Sequence, residues 1–146
     1  MAITSAICNS FKQEILEAEH NFTASTGNTF NLALYDSDAS LGAGTTAYTT
    51  SEEITNTSGT AYSAKGKALT SVTPTLDSST AVCDFADVSW TSASFTARRC
   101  MIFNDSHSTD ASVCVIDFGG DKTATSGTFT IQFPTADATN AIIRLA

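Results

Sequence analysis

Charge is scarce in this chain. Asp, Glu, Lys and Arg together make up 15% of its 146 residues, and only seven of these are cations. A nucleic-acid surface needs Lys and Arg to displace counterions. With a net charge of −8, that class is excluded, and the single pair Arg98–Arg99 makes no phosphate track. Long hydrophobic runs are also missing. No window approaches the roughly 18 apolar residues of a membrane span. Met1 to Asn9 lacks the basic start and apolar stretch of a secretory signal. The expectation is therefore a protein without membrane or nucleic-acid partners, kept soluble by its acidity.

Catalytic signatures are equally scarce. The four cysteines, Cys8, Cys83, Cys100 and Cys114, form no C-x-x-C pair. Without an export signal they are expected to be reduced, behaving as small apolar side chains whose thiols burial pushes up. Two histidines, His20 and His107, offer no HxxxH or HExxH spacing for zinc. No G-x-S-x-G elbow is present. The expectation is no catalytic residue, no cofactor and no metal.

What the chain does have is Ser, Thr and Ala, and an apolar content of 42%. At this length a single domain spanning 1–146 buries roughly 70% of its unfolded surface without needing a disulfide or a metal. Near the N-terminus, Ile7, Phe11, Ile15 and Leu16 recur at helical spacing around Lys12, Glu14 and Glu17. This predicts an amphipathic helix of about three turns inside residues 1–20. After it the period changes to two. In TFNLALYDS, Phe30, Leu32 and Leu34 share one face, and Asn31, Ala33 and Tyr35 the other. KALTSVTPTLD, TAVCDFADVSW, SFTARRCMIFND, SVCVIDFGG, TFTIQFP and AIIRLA follow, each bounded by Gly, Pro, Asp, Asn or Ser. Strands at such intervals, with no helices between them, indicate an all-β antiparallel sandwich. About seven or eight strands are expected, in an immunoglobulin-like or jelly-roll-like arrangement.

Several short stretches resemble sites. GGDKTATSG, between two strand-like runs, has glycines, an acid and a lysine. A phosphate loop, however, places the lysine after its second glycine and is followed by a helix. The expectation is a β-connection from Gly119 to Gly127. Asp36 and Asp38 read as punctuation after a strand, and Glu52–Glu53 as a solvated loop. Asp84 and Asp87 fall on opposite faces of one strand and form no pair. Arg99 stands out, because alternation puts it with Phe95, Ala97, Met101 and Phe103. An arginine there breaks the strand, pairs with a buried carboxylate, or emerges at a subunit contact. The last two together are favoured.

Read in order, SFKQEIL with EAEHNF, TFNLALYDSDASLGAGTTAYTTSEEI, DFADVSWTSASFTARRCMIFND and VIDFGGDKTATSGTFTIQFPTADATNAIIRLA resemble small virion structural proteins of tailed bacteriophages, of the marine and cyanobacterial phage type. The resemblance runs along nearly the whole chain without an active-site motif. It implies a capsid decoration (cement) protein located in the virion, binding the major capsid protein and itself, most plainly as a homotrimer. A tail, baseplate or fibre-associated protein is the alternative. Further off is a carbohydrate-binding fibre domain using Trp90, Tyr35, Tyr48 or Tyr62 with Asp36 or Asp38. Interface residues are expected among Phe11, Ile15 and Leu16 of the helix and at Arg98 and Arg99. Deleting residues 1–20 is expected to leave a folded sandwich.

Overall fold

The period-two segments assemble into two antiparallel sheets. The computed structural model describes residues 5–54 and 61–146. Its elements are β1 (Ala6–Ile7), α1 (Asn9–Glu14), β2 (Phe30–Tyr35), β3 (Lys67–Ala68), β4 (Ser71–Asp77), β5 (Thr80–Phe85), β6 (Val88–Asn104), β7 (Ala111–Ile131) and β8 (Ile143–Leu145). One sheet runs β1-β7-β6-β2-β3 and the other β4-β5-β8. The all-β sandwich, with eight strands among the described residues, agrees with the reading from periodicity.

β2 is buried along its whole length, as a strand apolar on both faces requires. One face meets the second sheet: Phe30 stacks on Phe22 at 4.2 Å and meets Phe85 of β5 at 5.9 Å. The other face is covered by the chain that follows β2. Tyr35 donates from its hydroxyl to the Thr49 carbonyl at 2.8 Å, and the Leu34 amide donates to the Tyr62 hydroxyl at 3.0 Å. The covering chain returns through Gly66, at φ +64°, where a Cβ would lie 1.8 Å from the Leu32 carbonyl oxygen. No other residue fits that approach.

The N-terminal helix is shorter than expected. It spans Asn9–Glu14, and only turns follow to Ala18. Phe11 is its one buried residue, and Ile15, at its C-cap, packs only partly against the core. The first twenty residues are also not a separable appendage. β1 pairs with β7 through Ala6–Val115 and Ile7–Cys114, Cys8 and Phe11 belong to the core, and His20 is buried. Deleting 1–20 therefore removes core, which revises the expectation of an intact sandwich.

The largest departure concerns GGDK. It is no turn between strands: β7 runs unbroken from Ala111 to Ile131, paired with β6 from Asn104–Ala111 to Val88–Ile131. The ladder slips between Ala97 and Arg99, which oppose Lys122 and Asp117, so Phe118 to Asp121 form an enlarged bulge. Further slips occur around Ala93. Bulges bend strands, and these bend β7 back on itself. Phe118 and Phe129 have ring centroids 6.4 Å apart, whereas eleven extended residues span about 36 Å. TAVCDFADVSW likewise divides, with β5 ending at Phe85 and β6 starting at Val88. The curled β6–β7 ribbon carries Trp90, Phe95 and Phe129 against one another and onto Tyr62, closing the core.

Candidate interface

Arg98 and Arg99 are consecutive and should point to opposite faces of β6, yet both reach Asp117. Arg98 donates from Nε to Asp117 Oδ1 at 3.0 Å, and Arg99 Nε lies 3.6 Å from Asp117 Oδ2. The ladder slip allows this, because it leaves Asp117 directly opposite Arg99 with the bulge beside Arg98. Gly119, at φ +75°, turns its amide to donate to Asp117 Oδ1 at 2.7 Å. That amide, then the neighbouring guanidinium groups, hold the Asp117 carboxyl below its usual range against the opposing effect of burial. Arg99 also donates to the Ala39 carbonyl, tying the segment after β2 to the ribbon. Arg99 is buried inside its own chain, where it faces the part-buried Asp117 carboxylate. Arg98 keeps about a third of its side chain exposed and faces Asp121 at 3.9 Å.

Beside this cluster, the bend in β7 opens a cleft of about 700 Å³. One wall carries Ile116 and Phe118, the other Phe129, Ile131 and Phe133, with Ile142 and Cys100 completing the apolar surface. Asp121, Lys122 and a set of Thr hydroxyls form its polar lining. β1 and Ser5 cover the outer edge of β7 as far as Asp117. Among the described residues no strand pairs with that edge farther on.

The three helix residues separate. Phe11 is buried against His20 and Phe22, and Ile15 packs on the rim of the core. Leu16 is 88% exposed. The anchor of this segment is one that helical spacing does not reveal. Asn104 of β6 donates to His20 Nδ1 at 3.1 Å, which leaves the ring proton on Nε2 for Glu14 at 2.8 Å. His107 stacks nearby at 6.3 Å. A buried histidine between Glu14 and Asn104 is thus a docking device.

Glu53 corrects the reading of Glu52–Glu53 as solvated. Glu52 is exposed, but Glu53 is buried and accepts from the Tyr48 hydroxyl at 2.5 Å, the Tyr62 hydroxyl at 2.6 Å and the Lys65 amide at 2.7 Å. Burial, with this carboxylate, pushes Tyr48 up to about 12 and Tyr62 higher still. The Lys65 ammonium bridges Asp105 and Asp110, each at 2.8 Å, and those bonds raise its pKa. One carboxylate and one ammonium thereby fasten the chain that covers β2.

The remaining acids do not converge. Asp36 Oδ1 accepts from the Asp38 amide at 2.8 Å, a turn within one loop. Asp87 accepts from the Phe133 amide at 2.9 Å, whereas Asp84 sits in β5. Trp90, Tyr35 and Tyr62 are fully buried, so three of the four aromatics considered as sugar platforms lie in the core. All four cysteines are buried free thiols. Burial raises each of them, Cys83 and Cys114 to about 12. Among the described residues, no three His, Cys, Asp or Glu side chains gather as a metal ion requires. Comparisons with protein-family models, curated proteins and solved structures returned no match to this chain.

Proposed function

We propose that this chain is a structural virion protein of a tailed bacteriophage, a decoration protein that binds the assembled head shell and stabilises it. The resemblance along nearly the whole sequence supports the virion setting. The observation that carries the structural role is where the reactive side chains are used. Arg99, Asp117, Glu53 and His20 all make contacts that fasten segments of the chain to one another. An acidic, hydroxyl-rich exterior with scattered exposed leucines suits broad contacts on the outside of a shell, away from DNA.

The mechanism is linkage. A protein that binds the assembled shell and not its separated subunits stabilises that shell by the free energy of binding. Heads lacking this chain should therefore take up the purified protein to saturation and release their DNA at a higher temperature once decorated. No uptake by heads, with uptake by isolated tails, assigns the chain to the tail instead. No uptake by either overturns the virion reading.

A further inference from the structure

The cleft in the bend of β7 is held open by the core beneath it. Phe129 packs on Phe95 at 5.0 Å and Phe133 on Phe85 at 5.5 Å, which fixes one wall. Ile116, opposite Cys100 in the ladder, and Phe118 pack against the core and fix the other. Yet Ile116, Phe118, Ile131, Phe133 and Ile142 are each only partly buried. Their remaining apolar surface meets water, and a ligand with an apolar body would displace that water. The volume of about 700 Å³ lies in the range of roughly 300–1,000 Å³ found for small-molecule sites, which are apolar, pre-formed and marked by a few polar groups.

Those polar groups have one charge to spare. Of the two acids on the lining, Asp117 is taken by Arg98, Arg99 and the Gly119 amide, and Asp121 faces Arg98 at 3.9 Å. Lys122 differs. Of the seven cations in the chain, Lys12, Lys65, Lys67, Arg98, Arg99 and Arg144 each hold a hydrogen-bond or ion-pair partner. Lys122 has none among the described residues, and positions 1–4 and 55–60 contain no acid. It lines the cleft as an exposed side chain, so the unpaired ammonium stands at the rim of an apolar recess.

We propose that this cleft binds a small anionic amphiphile, a free fatty-acid-like carboxylate. The apolar tail lies between the isoleucine and phenylalanine walls, and the carboxylate meets Lys122 at the rim. A head group at the rim keeps its water, so no charge is buried at a cost. A recess within one bent strand takes a single tail and does not admit a flat membrane surface. The site is independent of the role on a phage head. Its test uses the purified chain alone, so either can fail without the other.

Decanoate is the probe, and decyltrimethylammonium, with the same tail and the opposite charge, is its control. Each is titrated below its micelle concentration, at physiological salt, into the full chain labelled at its isoleucine methyls for nuclear magnetic resonance. Decanoate should saturate at one molecule per chain and shift Ile116, Ile131 and Ile142, leaving the fully buried Ile102 in place. It should bind about fivefold more tightly than the ammonium, the size of one exposed ion pair. A net charge of −8 favours the cation elsewhere on the molecule, so a preference for the anion reports Lys122. Lys122→Gln, at an exposed position with no polar partner, should keep the methyl shifts and lose the preference. No saturable shift with decanoate, shifts centred on other isoleucines, a preference for the ammonium, or a preference that survives Lys122→Gln each overturns the proposal.

Discussion

At the residue scale, two ionised side chains organise this fold, and each makes a quantitative prediction. Arg99 joins the segment after β2 to Asp117 in a buried setting. Replacing it with Ala orphans the Ala39 carbonyl while Asp117 keeps Arg98 and the Gly119 amide, and should cost about 1–3 kcal/mol. Urea unfolding measures this, and a cycle with Asp117→Asn should show strong non-additivity. Glu53→Ala strands two tyrosine hydroxyls and an amide. A loss of about 2–4 kcal/mol follows from unsatisfied buried donors. Trp90 lies 6.0 Å from Tyr62, so its fluorescence should report the change. These two residues differ in how far the sequence revealed them. Alternation put Arg99 on an apolar face, which called for a buried carboxylate together with a subunit contact. Identifying Asp117 needed the β6–β7 register. Glu53 gave no signal at all, because its partners sit in an aperiodic segment where nothing distinguishes a buried acid from a solvated one.

At the scale of elements, periodicity located β2 and the apolar first half of β7 well, since burial on both faces leaves a continuous apolar run. It failed at GGDK for a physical reason. Gly, Asp and Ser favour positive φ and local side-chain hydrogen bonds, and both a hairpin turn and a bulge require these. Only pairing across to β6 distinguishes the two. The cleft was hidden for the same reason, because it exists only where β7 bends back. Gly119 tests this account. With φ at +75° and open space around its Cα, Gly119→Ala should lose about 1 kcal/mol from backbone strain alone. Gly120→Ala, at ordinary φ in open space, should stay near wild type; thermal unfolding of both decides. The N-terminal segment gives a sharper contrast. Removing residues 1–20 takes away β1, Cys8, Phe11 and His20, so the truncated chain should lose its near-ultraviolet circular dichroism and cooperative unfolding.

At the scale of the whole molecule, stability should fall on both sides of neutrality, for opposite reasons. Tyr35, Tyr48, Tyr62 and the four thiols all have raised pKa values in the fold. Above roughly pH 9 the unfolded chain releases protons that the native chain keeps, so stability declines as pH rises. Asp117 and Asp137 are lowered. Their contribution is present above about pH 4 and is lost as pH falls through their folded values. Denaturation midpoints across pH should trace this dome, and Asp117→Asn should flatten its acid limb. The molecule so described is a closed sandwich whose reactive groups serve its own architecture and whose open feature is the cleft in the bend of β7. The proposed role on a phage head is tested by one number, the copies of this chain in each purified virion, measured by quantitative mass spectrometry against the major capsid protein. A head decoration protein requires hundreds of copies. A few to a few dozen copies, or none, contradicts that role.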